Sequence, residues 1–391
     1  MKIKKSLIDS TLVIVTMFVT ILPIFLAKQL VLISMLLLLA RIVISKDIFL
    51  YLNTKIIIFI LLLPGISIAL FYAPEKLVRF AGILLIALGF PFLSFKINHT
   101  SVIISSILII FYLIITQLML LEGNQILTNF RDYGYSFELV EAHRNYGTTK
   151  NILKNAFDFS YWAKRAGGLY SNPNTFAAVL ICYFFIFDIS WKYFFESKER
   201  KIKFKRFFYL LIFLLVAFSL LQTKSKTFLV GFVVYFIFKN FEFNSLLKLK
   251  LKKKLLVFLA SSIGIIYLVF ESIIKSLFTQ GGSAYIKFTI LFDYLQQVGF
   301  LDILFGSNFE FSFDAEYGYW IGTAGLTGLL AFFYFYKFIY KLVPQSRSLI
   351  ISFLFISIGS TLFYNLLIVS ILIPLFIILI SSNKNEFTYP S

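Results

Sequence analysis

Apolar runs of about 20 residues recur along this chain, and they constrain its fold more than any other feature. At a rise of about 1.5 Å per residue, a helix of about 20 residues crosses the ~30 Å hydrocarbon layer of a membrane. The predicted spans are 8–26, 30–45, 56–72, 78–95, 101–120, 173–191, 207–222, 227–238, 255–271, 319–338, 349–364 and 366–382. We therefore predict an all-α fold, a polytopic integral membrane bundle of about twelve transmembrane helices.

The composition excludes the soluble classes of protein that a basic charge would otherwise indicate. Of the 391 residues, 59% are hydrophobic and 14% are charged, whereas soluble chains carry about 25% charged residues. The 37 Lys and Arg against 19 Asp and Glu give a net charge of +18. Because these charges cluster in short loops between apolar runs, they indicate anchoring beside anionic lipid, and we expect no nucleic-acid partner. The single cysteine, Cys182, lies in an apolar run and offers neither a disulfide framework nor a thiolate metal site.

Two long polar stretches divide the chain and predict its organisation. We expect N-terminal transmembrane helices over 1–121, a first large loop over 122–171, central helices over 172–271, a second large loop over 272–318 and C-terminal helices over 319–391. The lysine-rich connections 192–206 and 239–254 belong in the cytoplasm by the positive-inside rule. Both chain termini are then cytoplasmic and both large loops are extracytoplasmic. The basic start and the long apolar run after it predict an uncleaved first helix.

The segment RAGGLYSNPNTFAAVL is a sharply turning polar stretch that leads directly into an apolar run. A helix start explains Asn172 as an N-cap and Pro173 as the first helical residue. It does not explain Arg165, Gly168 or Asn174. Glycine permits close backbone approach, a helix N-terminus favours anions, and arginine offers a forked donor for phosphate. We therefore expect an anion site at this helix start.

Two lysines on the outer side form a second candidate. Lys224 and Lys226 lie between two short spans, where the positive-inside rule disfavours them. They could hold a negative group such as a diphosphate. A pair of lysines whose ammonium groups reach the membrane surface explains them equally well.

The two loops carry the candidate acid and base groups. His143 and Arg144 in the first loop could supply a base or sugar contacts, and a solvated loop explains each of them as well. In the second loop, Asp314 and Glu316 stand just before a span and could deprotonate a hydroxyl group. Residues 285–306 of this loop have the pattern of an interfacial amphipathic segment. The glycines of GTAGLTGLL are typical of tight helix packing.

Three patches, in this order along the chain, resemble the O-antigen polymerase and ligase superfamily of bacterial envelope glycan assembly. The family motif R-x-x-G-x-x-x-N-P-N-x-x-A is matched by Arg165, Gly168, Asn172, Pro173, Asn174 and Ala177. A second family patch, L-T-x-S-R, is matched by Thr223 and Ser225, with Lys226 in place of the arginine. The third patch, a glycine turn, a polar pair and an aromatic helix start with G-L-x-G-L, is matched by Gly306, Asp314, Trp320 and 325–329. The resemblance covers roughly 160–335.

The resemblance implies a glycosyltransferase that polymerises undecaprenyl-diphosphate-linked oligosaccharide repeats into O-antigen or capsular polysaccharide. It would act at the outer face of the bacterial plasma (inner) membrane, without a cofactor or metal ion. Arg165, Lys224 and Lys226 would stabilise the leaving diphosphate, and Asp314 or Glu316 would take the acceptor proton. Substrate-binding roles would fall to Gly168, Asn172, Asn174, His143 and Arg144. The implied partners are the lipid-linked oligosaccharide and membrane lipid, with a chain-length regulator protein as a further candidate.

Two other functions remain open from the sequence. A ligase that transfers glycan to a lipid A core belongs to the same superfamily, but ligases place a histidine near the third patch and this chain has none there. A flippase for lipid-linked repeats would be expected to show paired repeats and charged residues at mid-membrane. The chain shows no internal repeat, and Arg41 and Asp188 fall near the ends of predicted spans.

Overall fold

The computed structural model shows a helical protein. It describes residues 5–22, parts of 30–44, 52–72, 95–129, 168–170, 173–196, 205–223, 225–241, 283–307, 316–343, 346–360 and 366–382. Across these ranges all regular structure is helical and no strand occurs. The prediction of an all-α fold is therefore confirmed for the part of the chain described.

Apolar runs become helices because a helix satisfies its own backbone hydrogen bonds within the segment. The helices are α1 (Lys5–Val19), α2 (Leu52–Tyr72), α3 (His99–Leu121), α4 (Pro173–Glu196), α5 (Lys205–Thr223), α6 (Lys226–Phe241), α7 (Ser283–Gln297), α8 (Phe300–Phe305), α9 (Glu316–Leu342), α10 (Arg347–Gly359) and α11 (Leu366–Ser382). Most bounds fall within five residues of the predicted spans that they cover.

Five helices within the described ranges are long and apolar enough to cross a membrane. They cover Leu52–Phe71, His99–Leu121, Pro173–Phe195, Lys205–Thr223 and Tyr317–Lys341. Shorter apolar helices accompany them at Ser6–Val19, Arg347–Ser357 and Ile371–Ser381. Their length and composition are those of a membrane-embedded helical protein.

Two differences from the predicted spans stand out. The first helix ends at Val19 and not at residue 26, and the Thr20 hydroxyl beyond it donates to the Met17 carbonyl at 2.7 Å. The second predicted loop contains the helices α7 and α8. The predicted spans 78–95 and 255–271 lie almost wholly outside the described residues.

The chain divides into two compact units, and the first comprises 1–50, 88–225 and 366–391. Its centre is α4, which packs against α3, α11 and α5. Every side chain from Phe176 to Asp188 is buried, so this helix is covered on all sides. A helix that is apolar all round belongs in the interior of a bundle. The RAGGLYSNPN segment therefore leads into a helix whose middle is wholly buried.

Polar contacts at one end of the first unit gather the C-terminal ends of α1, α3 and α5 around the start of α4. At the end of α3, Gln117 Nε2 donates to the Ser219 carbonyl on α5 at 3.2 Å, and the Ser219 hydroxyl donates back to Gln117 Oε1. Polar side chains in apolar helices face the bundle interior, where they find partners. This pair therefore ties α3 to α5 near the start of α4.

The opposite end of the first unit carries a buried ion pair. Arg41 Nε donates to Asp9 Oδ1 at 2.7 Å, a second guanidinium nitrogen reaches Asp9 Oδ2 at 3.2 Å, and the backbone N–H of Lys96 also donates to Asp9 Oδ2 at 3.0 Å. The guanidinium lies 4.9 Å from the centre of the Phe95 ring. Arg41 is thus paired with Asp9, which lies near the start of α1 and not at its middle.

The same end also joins α3, α4 and α5. The His99 ring lies 4.1 Å from that of Tyr193 on α4, and Tyr209 of α5 donates to Asp188 of α4 at 2.5 Å. Since α4 continues to Glu196, Asp188 lies inside a helix and not at its end. Helix α4 is therefore antiparallel to α1, α3 and α5, the arrangement that alternating spans require.

The second unit comprises 51–87 and 226–365. Within it α9 packs against α2, α8 and α10, and α6 packs closely against α10. Ser352 of α10 donates its hydroxyl to the Gly231 carbonyl of α6 at 2.7 Å. A Cβ atom at Gly231 would lie 2.3 Å from Ile356 Cγ1. The absence of a side chain at this glycine lets the two helices approach each other closely.

Candidate functional site

The first sequence patch begins with a turn that only glycine accommodates readily. Gly168 is buried and has a φ of +58°, a left-handed conformation that disfavours other residues. A Cβ atom there would stand 2.8 Å from Cε2 of the Phe176 ring on α4. The glycine thus lets the incoming chain lie directly against the first turns of α4. This contact assigns Gly168 a role in shaping the turn.

Tyr170 fastens this turn to the end of α1. Its buried hydroxyl donates to the Thr20 carbonyl at 3.0 Å, and its ring meets that of Phe176 edge-on at 6.1 Å. Burial, together with the neighbouring Tyr183 and Tyr112, raises the pKa of Tyr170 well above its ordinary value. The group therefore stays a neutral donor, and the segment before α4 has a defined position.

Helix α4 starts as the sequence predicts, with Pro173 as its first residue. Proline suits this position because its missing N–H would have no partner in the helix. Ala177, one turn further on, is completely buried. Asn172, the predicted N-cap, lies outside the described residues. The helix N-terminus therefore stands immediately beyond the turn at Gly168.

The second patch contacts the first through a hydrogen bond between side chains. The Ser225 hydroxyl donates to Asn174 Oδ1 at 2.8 Å, across 51 residues of sequence. The backbone N–H of Ser225 donates to Thr223 Oγ1 at 3.2 Å, and that hydroxyl donates to the Leu220 carbonyl at 2.6 Å. Ser225 is 5% exposed and Thr223 is fully buried. A tight turn after α5 is thereby held against the second residue of α4.

This arrangement gives the two patches a shared polar surface at one end of the first unit. It combines the first turn of a buried helix, whose N–H groups point outward, with a hydroxyl and an amide side chain. The N–H groups of a helix N-terminus are suited to the oxygen atoms of an anion such as a phosphate. Lys224, which lies between Thr223 and Ser225, is outside the described residues.

Lys226 is the first residue of α6, and its side chain is exposed. A cation at a helix N-terminus is unfavourable, because that end of the helix carries partial positive charge. The predicted roles of Lys226, as a diphosphate contact or as an ammonium group at the membrane surface, both stay predictions.

The third patch lies in the second unit and has a packing role. Gly306 has a φ of +93°, and a Cβ atom there would stand 2.5 Å from the Thr323 carbonyl oxygen. Gly325 has a φ of +64° inside α9, and a Cβ atom there would stand 2.4 Å from the Leu304 carbonyl carbon. The end of α8 thus crosses the backbone of α9 at a kink, which explains both glycines physically.

The aromatic residue of the third patch is internal. Trp320 is fully buried, and its ring stacks on that of Phe332 with 6.1 Å between centroids. A side chain without exposed surface cannot stack on a sugar. Tyr317 instead binds its own unit, since its hydroxyl donates to the Leu354 carbonyl of α10 at 2.7 Å.

Several predicted site residues lie outside the described part of the chain. They are Arg165, Asn172, Lys224, Asp314, His143 and Arg144. Glu316 is the first residue of α9, and only its backbone is described. Within the described ranges no three His, Cys, Asp or Glu side chains cluster as metal ligands would. The structure therefore shows the contact between Asn174 and Ser225. The roles of the charged candidates stay predictions.

The sequence analysis missed the polar pairs inside the first unit. Gln117–Ser219, Asp9–Arg41 and Asp188–Tyr209 each join two segments of this unit. Their signal was an isolated polar residue within or beside an apolar run, which in a membrane protein points to an interior partner. The partner itself could not be read from local sequence.

The family resemblance rests on the residues of the three sequence patches alone. No family model, no curated protein and no solved structure matches this chain.

Proposed function

We propose that this protein is a membrane glycosyltransferase of the O-antigen polymerase and ligase type. It joins oligosaccharide repeats that are carried on undecaprenyl diphosphate and makes O-antigen or capsular polysaccharide. Three observations support the proposal: the ordered sequence patches, the helices suited to a membrane, and the contact between the first two patches. The bond from Ser225 to Asn174 carries most weight, because two motifs that serve one substrate must lie together.

The proposed topology has about twelve spans in the plasma membrane. Both termini and the lysine-rich connections 192–206 and 239–254 are cytoplasmic, and the loops 122–171 and 272–318 are extracytoplasmic. The antiparallel order of α1, α3, α4 and α5 supports this topology, because the predicted outer ends of these helices meet at the Asn174 end of the unit.

The proposed reaction is a displacement at the anomeric carbon of the donor glycan. A hydroxyl oxygen of the acceptor repeat forms the new glycosidic bond, and the bond from the anomeric carbon to the diphosphate breaks. Undecaprenyl diphosphate leaves with the electron pair, and its charge is stabilised by Arg165, Lys224 and Lys226. The proton of the acceptor hydroxyl passes to Asp314 or Glu316. No nucleotide sugar, metal ion or cofactor is required.

The remaining residues orient the two substrates. The α4 N-terminus, with Asn172 and Asn174, faces the diphosphate, and Gly168 shapes the turn that leads to it. His143 and Arg144 of the first loop contact sugars. Membrane lipid surrounds the helices, and a chain-length regulator protein is a candidate partner.

Deletion of the gene in its native host tests the function directly. A polymerase predicts that single repeats still reach the cell surface, whereas loss of a flippase would leave none and loss of a ligase would leave polymer unattached to lipid A. Surface glycan would be analysed by gel electrophoresis. Absence of single repeats from the surface would refute the polymerase assignment.

Substitution of Arg165 tests the proposed anion site in the same host. We expect Arg165→Ala to abolish polymer while the protein stays inserted, and Arg165→Lys to restore little, because an ammonium group lacks the arginine fork. Arg206→Ala, an exposed arginine at the start of α5, is the matched control and should polymerise normally. Normal-length polymer from Arg165→Ala would remove this residue from the site.

A further inference from the structure

Helices α7 and α8 meet at a tip that exposes large apolar side chains. Phe300 is 73% exposed and Leu301 is 67% exposed. The tip has a defined conformation, since the Gly299 N–H donates to Asp302 Oδ2 at 3.2 Å and the Ile303 N–H donates to the Gly299 carbonyl at 3.1 Å. Two bulky apolar residues at the start of a helix in water would be unfavourable, so their surroundings require an explanation.

The other end of α8 is held on α9. The Ser307 N–H donates to the Gly322 carbonyl at 3.2 Å, and the Ser307 hydroxyl bonds with that of Tyr294 on α7 at 2.9 Å. At Gly325 the backbones come so close that a Cβ atom would stand 2.4 Å from the Leu304 carbonyl oxygen. Helices α7, α8 and α9 therefore form one connected structure.

The position of this anchor along α9 sets its depth. The candidate span Tyr317–Lys341 has 25 residues and a kink at Gly325, so it is at most about 37 Å long and at most about 4 Å extends beyond each side of a ~30 Å hydrocarbon layer. Gly322 lies about 7 Å along this span, which puts it a few ångströms inside the layer, and Gly325 lies deeper.

The length of α8 then limits where its tip can be. Its six residues extend about 9 Å from the anchor, whichever way the helix points. If it points outward, the tip reaches the headgroup region, and if it points inward or sideways, the tip lies among the acyl chains. Neither direction carries Phe300 and Leu301 into bulk water.

We propose that the tip formed by residues 298–301 inserts into the lipid bilayer beside α9, with Phe300 and Leu301 in contact with acyl chains. Helix α9 also exposes large apolar side chains beyond its kink, since Leu330 is 58% exposed and Leu326 is 39% exposed. The second large loop of the chain is then partly a membrane element. The tip lies in the leaflet on the side of the membrane where α9 begins at Glu316.

Spin labels at single cysteines test this insertion in the full-length protein, reconstituted as one copy per lipid nanodisc. The background variant is Cys182→Ala, which removes the buried native thiol. Labels are attached at Phe300→Cys and Leu301→Cys. Leu330→Cys is the lipid-facing reference, and Glu122→Cys, an exposed residue at the end of α3, is the aqueous reference. Collision rates with oxygen, which concentrates in lipid, and with a water-soluble nickel complex are measured for each label.

We expect labels at 300 and 301 to lose contact with nickel and gain contact with oxygen, to the levels found at 330. Nickel contact at the level of residue 122 would overturn the proposal. Shielding from both reagents would also overturn it, because it would mean that protein and not lipid covers the tip. The label at 330 must itself report lipid, since nickel contact there would mean that α9 does not cross the membrane and would likewise overturn the proposal.

Discussion

The Ser225 hydroxyl donates a hydrogen bond of 2.8 Å to Asn174 Oδ1, although 51 residues separate the two in sequence. The bond holds the turn after α5 against the first turn of α4. Lys224 is the residue before Ser225 in sequence. The bond therefore joins two of the three patches on which the proposed function rests.

Ser225→Ala should therefore impair polymerisation more than it impairs folding. Loss of one hydrogen bond lowers the free energy of unfolding by about 1 kcal/mol, whereas a displacement of about 1 Å near reacting groups can cost about 100-fold in rate. Both quantities would be measured on purified protein, by thermal unfolding and by turnover of lipid-linked repeats. Ser190→Ala is the matched control, because the Ser190 hydroxyl is buried on α4 without a hydrogen-bond partner among the described residues. If the two variants turned over the lipid-linked repeats equally fast, the bond between Ser225 and Asn174 would have no role in catalysis.

Gly168→Ala should destabilise the first unit. The alanine would be held in a left-handed backbone conformation. Its Cβ atom would also lie 2.8 Å from the Phe176 ring and overlap it. We expect a loss of about 2 kcal/mol or more in the free energy of unfolding, from strain and overlap together. Gly123→Ala is a close control, since Gly123 has a φ of +79° but meets nothing within 4 Å.

The comparison of these two glycines isolates the contact with Phe176. Thermal unfolding in detergent should give a smaller loss for Gly123→Ala than for Gly168→Ala. Adding Phe176→Leu should recover part of the second loss, because the smaller side chain makes room for the methyl group. Equal losses at the two glycines would mean that backbone strain alone explains Gly168.

Gly325→Ala should prevent the end of α8 from packing on α9. Its Cβ atom would meet backbone atoms of Leu304 and Gly306 at 2.4 and 2.5 Å, and backbone cannot turn aside as a side chain can. We expect little folded protein after membrane extraction and size-exclusion chromatography. Gly299→Ala is the control, because its φ is −72° and the new atom would come no closer than 3.5 Å to Asp302. Normal yield of Gly325→Ala would show that the crossing of α8 and α9 is not tight.

Asp314→Asn should lower polymerisation by about 100-fold or more, the effect typical of losing a general base. Glu316→Gln should be milder, because Asp314 is the residue that matches the polar position of the third family patch. An assay on lipid-linked repeats across pH would compare the two variants. Undiminished turnover of Asp314→Asn, together with collapse for His143→Ala, would move the base to the first loop.

The positions of the helices could be predicted from the sequence because their cause is local. Residues 366–382 form a helix with the predicted bounds, and α3 differs from its prediction by two residues or fewer at each end. A long apolar run must satisfy its backbone within itself in a membrane, whatever its neighbours are. The end of α1 at Val19 was not predicted, and just beyond it the Thr20 carbonyl accepts a hydrogen bond from Tyr170, a residue that local sequence does not bring near it.

The sequence by itself determined which segments are helical and which residues begin α4, because apolar length and proline chemistry act over a few neighbouring residues. Only the tertiary structure decided that Asn174 meets Ser225, that Gln117 meets Ser219 and that Gly306 crosses Gly325. The same glycines that resemble a family motif also permit one backbone to pass another, and sequence letters do not separate these two roles. Contacts between distant segments depend on how whole helices pack, and local patterns carry no information about which polar side chain will find which partner.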